Sequence, residues 1–196
     1  MKSLSKALVI GNGKSRLQFD LYQLRQKYKT YGCNAIYRDF VPDVLVSMDW
    51  YMVKEIIDSG VIHKTHFVTQ HMNQTTGLEK TLPINFIDTE TTTPDSGNAA
   101  VKYAIKQGAT EVYIIGFDGH IQQYNNVYAG TRNYHHNGYC VKQIQEDKWQ
   151  HRLYSTMVKN PNVDFYIVND HMTHTLPNLT YITIEDFKEE LNYVGI

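Results

Sequence analysis

Cysteine is nearly missing from this chain: Cys33 and Cys140 are the only two. Two thiols cannot build a disulfide framework, and they match no zinc-ligand spacing. Charge of one sign is missing as well. The chain carries 19 Lys and Arg against 20 Asp and Glu, a formal net charge of −1, and no dense basic cluster. Long-range attraction for polyanions is therefore absent, and nucleic acid is a minority reading. No hydrophobic run reaches membrane-spanning length. The first one, Ala7–Ile10, is too short for a signal peptide and breaks at Gly11, so a cytoplasmic, reduced location without a membrane span is expected. Asp-x-Asp occurs nowhere. Transferases that use a nucleoside diphosphate often clamp it through a metal on such carboxylates. Its absence favours a leaving group that needs no metal, such as a nucleoside monophosphate, and no metal or cofactor is expected.

What is present is an ordinary globular composition of 196 residues, 42% hydrophobic and 20% charged. That length suits one domain spanning 1–196. Tyrosine is abundant, with 15 against 7 Phe and 2 Trp, which suits either sites that stack rings and hydrogen-bond phosphates or plain compositional drift. Ala7–Ile10 reads as a buried strand, and Asp20 as the cap of a helix carrying Leu21, Leu24 and Tyr28. Tyr31–Tyr37 and Val44–Val46 read as further strands. Asp49 starts a helix with Met52, Val53, Ile56 and Ile57 on one stripe, closed by Gly60. His66–Thr69 and Ile84–Ile87 are candidate strands. Residues 96–107 form a helix with a narrow stripe of Gly97, Ala100, Val101, Ala104 and Ile105, followed by the buried strand Val112–Ile115. Residues 119–145 are polar and aperiodic, the pattern of a loop that is either functional, here an active-site loop, or disordered. A helix from about Asp147 to Lys159, the strand Val163–Val168 and a short strand and helix complete the chain. Alternating strands and helices predict an α/β, Rossmann-like, mostly parallel sheet with helices on both faces. Ligands of such sheets sit beyond the carboxyl ends of the strands, where Gly11–Ser15, Cys33-Asn34 and the segment after Phe117 should converge.

Gly11-Asn12-Gly13-Lys14-Ser15 is not a Walker loop, because one residue alone separates its glycines. Nor is it a full dinucleotide fingerprint, since Arg16 stands where the third glycine belongs. It reads as a tight strand-to-helix turn with bare backbone N–H groups, the Asn12 amide and the Ser15 hydroxyl, suited to a phosphate or nucleoside or to a turn with no ligand at all. Asn34 is either a turn former or a pair of hydrogen-bonding groups aimed at the crevice. Ser96 either caps its helix or, with Gly97, offers a hydroxyl and free N–H groups to an anion. The polar loop brings His120, Tyr124, Tyr128, Tyr134, His135 and His136, candidates for acid/base work and phosphate contact. His171 and His174 could bind a metal only on a helix, which Pro177 and Asn178 argue against.

The combination of Gly11-Asn12-Gly13-x-Ser15, Cys33-Asn34 and Ser96 through Asp118 resembles the bacterial sialyltransferases of the Campylobacter lipooligosaccharide type. It also resembles a family of short bacterial and phage proteins of unknown function. The matching stretches cover about a third of the chain. The resemblance implies a metal-independent glycosyltransferase with a Rossmann-like fold and a CMP-sugar donor. Carried over by position, it implies that Gly11, Asn12, Gly13, Ser15, Asn34, Ser96, Gly97 and Asp118 meet the donor nucleotide. Tyr124 and Tyr128 stand in for the tyrosines that hold the phosphate. A loop histidine acts as general base: His136 first, then His135, then His151. The partners it implies are a nucleotide-sugar donor and an acceptor that is a glycan or a modified nucleobase of phage DNA, with a homo-oligomer expected. The chain is shorter than those enzymes and lacks a recognisable lid. Two other readings keep the fold: pyrophosphoryl transfer from ATP with magnesium on Asp118 and Asp49, as in pterin pyrophosphokinase-like proteins, and a non-catalytic nucleotide-binding regulator.

Overall fold

In a computed structural model of the chain the described residues are 5–88, 95–118, 125–136, 143–171 and 174–193. Among the described residues eight strands lie in one sheet: β1 (Lys6–Ile10), β2 (Lys29–Cys33), β3 (Val44–Val46), β4 (His66–Thr69), β5 (Ile84–Phe86), β6 (Glu111–Ile115), β7 (Asp164–Val168) and β8 (Leu179–Ile182). Every pairing is parallel, in the order β5-β4-β3-β2-β1-β6-β7-β8. The architecture is the Rossmann-like α/β sheet that the alternating pattern predicts.

A parallel sheet is covered on both faces, so its strands are apolar at successive positions rather than at alternate ones. Ala7-Leu8-Val9-Ile10 shows the consequence. Ala7 and Val9 join one core with Val44, Val46, Val112, Ile114 and Phe165, while Leu8 and Ile10 join the other with Leu45, Phe67, Tyr113 and Ile115. Helices α3 (Ser96–Lys106) and α4 (Gln143–Lys159) cover the first face; α1 (Leu21–Lys27), α2 (Trp50–Asp58) and α5 (Ile184–Tyr193) cover the second. The small-residue stripe lets α3 lie close on the sheet, with Ala100, Val101 and Ala104 fully buried. Aspartates cap α1, α2 and α3: Asp20 accepts from the Tyr22 and Gln23 N–H groups, Asp49 from Tyr51 and Met52, and Asp95 from Asn98.

Three expectations need correcting. The cap of α3 is Asp95, which leaves the Ser96 side chain for another task. Strand β2 stops at Cys33 instead of running to Tyr37, because Asn34 takes a left-handed conformation (φ 53°) and opens a 3-10 turn, Asn34–Arg38. Between β1 and α1, which begins at Leu21 after its Asp20 cap as expected, Lys14–Gln18 form a 3-10 turn. Helix α4 starts at Gln143, inside the stretch read as loop. No helix among the described residues is long and apolar enough to cross a membrane.

The strand order reverses between β1 and β6. That switch point, at the carboxyl ends of the strands where the connections leave in opposite directions, is where such sheets take ligands. The loops after β1, β2 and β6 and the start of α3 all meet there.

Candidate functional site

The loop after β1 is held by its own chain. Gly11 N–H donates to the Ile115 carbonyl (2.9 Å) and Gly13 N–H to the Gly116 carbonyl (2.9 Å), while Ser15 N–H donates to the Asp118 carboxylate (2.9 Å). The Ser15 hydroxyl donates to the other Asp118 oxygen, and the Asn125 amide adds a third donor at 2.8 Å. The expected row of bare N–H groups is thus largely used up, leaving those of Asn12 and Lys14 without an acceptor among the described residues. The glycines are required for a different reason. A Cβ on Gly11 would stand 2.4 Å from the Gly116 carbonyl oxygen, and one on Gly13 would stand 2.5 Å from the Asp118 carboxylate. Both glycines exist so that the β1 loop can lie against the β6 loop, and Asp118 locks that contact. With its oxygens occupied by Ser15 and Asn125, Asp118 faces its own chain. Asp49, the other carboxylate considered for magnesium, is taken up by the start of α2.

Asn12 differs from its neighbours. It is 9% exposed, and its side-chain NH2 donates to the Cys33 carbonyl (3.1 Å) and to the Tyr134 hydroxyl (3.3 Å). Its side-chain oxygen is buried and meets no hydrogen-bond donor among the described residues. A buried amide oxygen left this way costs desolvation energy unless a ligand or water reaches it. The Tyr134 hydroxyl also accepts from the Ala35 N–H (3.4 Å), so it bridges the ends of β1 and β2.

Asn34 and Ser96 form the opposite wall. The Asn34 side-chain oxygen accepts from the Ser47 hydroxyl (2.9 Å) and from the Ser96 hydroxyl (2.8 Å), and the Ser96 oxygen in turn accepts from the Met48 N–H (3.0 Å). The left-handed conformation at Asn34 turns its amide towards α3. Both acceptor positions of that amide are taken, which leaves its NH2 group without an acceptor among the described residues. At the head of α3, Asp95 satisfies the Asn98 N–H, and the N–H groups of Ser96 and Gly97 meet no acceptor among the described residues. Burial pushes the Asp95 carboxyl above the usual range, against the pull of the Asn98 N–H and of Arg152 at 3.7 Å. Gly97 is needed because a Cβ there would stand 2.9 Å from the Phe117 ring. Cys33 is buried and its thiol donates to the Ser96 carbonyl, with burial raising its pKa, so it stays a protonated packing residue.

Residues 125–136 lie as a strap across these loops. Val127 N–H donates to the Asn12 carbonyl (2.8 Å). The Tyr128 hydroxyl, expected at a phosphate, is buried between Arg16, which donates to it at 2.6 Å, and Asp39, to which it donates. Burial and the Asp39 contact both push the phenol pKa up. Arg16, the residue in place of a third fingerprint glycine, is 2% exposed and also donates to Asp39 at 3.0 Å. The strap brings Tyr134 onto Asn12 and leaves the His135 and His136 rings exposed beside it. His151 lies on α4, also exposed. Tyr124 and His120 are outside the described residues.

Of the residues expected at the donor site, the structure brings Asn12, Asn34, Ser96 and Gly97 together at the ends of β1 and β2 and the head of α3. Sequence reasoning missed Ser47, Arg16 and Asp39, and it named Tyr134 without selecting it. Arg16 and Asp39 belong to no motif, and their pairing spans 23 residues.

No family model matches the chain, and no curated protein matches it. Among solved structures, the chain is similar to an X-ray structure of a point mutant of alpha-2,3/8-sialyltransferase CstII. The identity is 13%, the match covers 94% of this chain and 99% of that one, and the TM-score is 0.48.

Proposed function

We propose that the protein is a metal-independent glycosyltransferase that binds a nucleotide-activated sugar, a CMP-sugar in the first instance, at the carboxyl ends of β1 and β2 beside the head of α3. The observation that carries this reading is the set of groups left open there. These are the unsatisfied Asn12 amide oxygen, the Asn34 NH2 group and the two N–H groups that head α3. Acceptor and donor groups held rigidly on opposite walls suit a nucleoside, which presents base and ribose edges of both kinds. The α3 N-terminus suits the departing phosphate, since its N–H groups and dipole favour negative charge without a cation.

In the reaction the acceptor hydroxyl attacks the anomeric carbon as the bond from that carbon to the phosphate oxygen breaks. The hydroxyl proton passes to a strap histidine, His136 first and His135 second, and the nucleoside monophosphate leaves with the bonding pair. The acceptor is a glycan or a modified nucleobase. The motif resemblance of Gly11–Ser15, Cys33-Asn34 and Ser96–Asp118 supports the same reading.

The test is a thermal shift of the full chain with CMP, CDP, UDP and ATP–magnesium, followed by a panel of sugar nucleotides. At one hundred times its Kd a ligand adds about 2.7 kcal/mol, roughly 5–10 °C for a chain of this size. CMP should produce that shift. Stabilisation by ATP–magnesium and not by CMP would transfer the reading to pyrophosphoryl transfer, and no shift with any nucleotide would overturn it.

A further inference from the structure

The strap is not tied down chiefly by the crevice it covers. Its firmest charged anchor stands on α2, at Glu55. This carboxylate is 8% exposed, although nothing in the crevice touches it. One of its oxygens accepts from the Tyr37 hydroxyl (2.7 Å), from Arg38 Nε (2.9 Å) and from Arg38 Nη2 (2.6 Å). The other accepts from the Asn133 amide at 2.8 Å, with Arg132 at 3.9 Å. Asn133 is one of two non-glycine residues with positive φ among the described residues (66°). Asparagine tolerates that conformation, but it persists only where its surroundings hold it. Arg38 completes the grip. It donates to the Thr131 hydroxyl (2.7 Å) and the Arg132 carbonyl (3.0 Å), and its guanidinium lies over the rings of Tyr128 and Tyr134 at 5.5 and 5.9 Å. The residues directly after the held turn are Tyr134, His135 and His136.

We infer that Glu55 and Arg38 form a clasp that fixes the left-handed turn at Asn133, so that these two are positioning residues for Tyr134 and for the strap histidines. The inference rests on the proposed function only for the role of the histidines; the mechanical claim stands on the contacts alone. Glu55 is buried while Arg38 stays partly in solvent, with 10% against 23% of the side chain exposed; removing Arg38 therefore leaves the buried Glu55 charge uncompensated. Such a pair fits a part whose work is to hold one geometry.

The measurement is amide hydrogen exchange on the full-length protein for wild type, Glu55→Ala, Arg38→Ala, the double variant and Asn133→Gly. Asn133→Gly keeps the backbone conformation accessible and removes only the strap's side of the contact. It therefore reports even where Glu55→Ala fails to fold. Exchange at Val127, Gly130, Thr131 and Tyr134, all hydrogen-bonded donors, should rise at least tenfold in each variant. Amides of β1 and β6 should change less than twofold. The double variant should exceed Glu55→Ala by less than twofold, because both residues serve one contact. Unchanged strap exchange, or loss of protection spread evenly over the sheet, overturns the inference. With a sugar nucleotide that turns over, kcat should fall at least tenfold in Asn133→Gly while the donor KM stays within threefold; a normal kcat with a loosened strap overturns the positioning role. Absence of turnover in the wild type sinks the proposed function instead, and the clasp is then decided by exchange alone.

Discussion

The two walls of the crevice reverse the impression their sequences give. Gly11–Ser15 has the look of a phosphate loop, yet its glycines, Ser15 and Asp118 are engaged in joining β1 to β6. Asn34 and Ser96-Gly97 are plain in sequence, yet they keep NH2 and N–H groups without acceptors among the described residues. A glycine is required wherever backbone must come close to something, and that something can be a ligand or the next strand's loop. The tight motif therefore mainly builds the wall, offering the Asn12 amide oxygen as its open side-chain group, and the looser one offers the remaining contacts.

This contrast breaks first at Gly11. Gly11→Ala drives a Cβ against the Gly116 carbonyl, a backbone atom with no room to yield, and should cost about 3 kcal/mol or more. Urea unfolding should show a lowered midpoint with the slope unchanged. A folded, stable variant that merely loses nucleotide affinity would restore the phosphate-loop reading.

Asn34 comes next. Asn34→Ala removes the acceptor of two hydroxyls and strains a left-handed residue, so both stability and CMP affinity should fall, each by about 1–3 kcal/mol. Asn34→Gly keeps the backbone conformation accessible and should recover part of the stability while affinity stays low. Full recovery of affinity would make Asn34 a turn former only.

Acid should separate the strap from both walls. Burial alone would raise the Glu55 pKa, but hydrogen bonds from Tyr37 and Arg38, the Arg38 charge and the Asn133 amide hold it below the usual carboxylate range. A depressed carboxyl stabilises the native state above the unfolded value of about 4 and loses that contribution as the pH falls through the native value. The strap amides should lose protection as the pH falls below about 4, before those of β1, and Glu55→Gln should flatten the difference. The groups facing Glu55 are Tyr37, Arg38 and Arg132, of which the two arginines stay charged throughout that range.

The smallest effect is expected at Lys14, which is exposed. Lys14→Ala should change stability by less than about 0.5 kcal/mol and leave nucleotide affinity within twofold. A tenfold loss would return the first wall to phosphate binding.

Much of the fold was legible because local rules act at short range. The continuous apolar run Ala7–Ile10 marks a strand buried on both faces, and Asp20 and Asp49 mark helix starts through their own side chains. The end of β2 was misread because one left-handed residue, Asn34, overrides the β propensity of Ile36 and Tyr37. The convergence of Asn12, Asn34 and Ser96 was legible once the sheet was taken as parallel, since each follows or faces a strand's carboxyl end. The clasp was not. Glu55 sits at a buried position of an amphipathic helix, and nothing local says that it will meet Arg38 and Asn133.

The sequence by itself determined the strands, the capped helices and the parallel α/β plan, because periodicity and capping are settled within a few residues. Only the tertiary structure decided what the glycines, Asp118, Tyr128 and Glu55 are for. Apart from Asn125, seven residues after Asp118, the side-chain partners named for them lie between 17 and 112 residues away along the chain, and no local rule specifies which distant groups a side chain will meet.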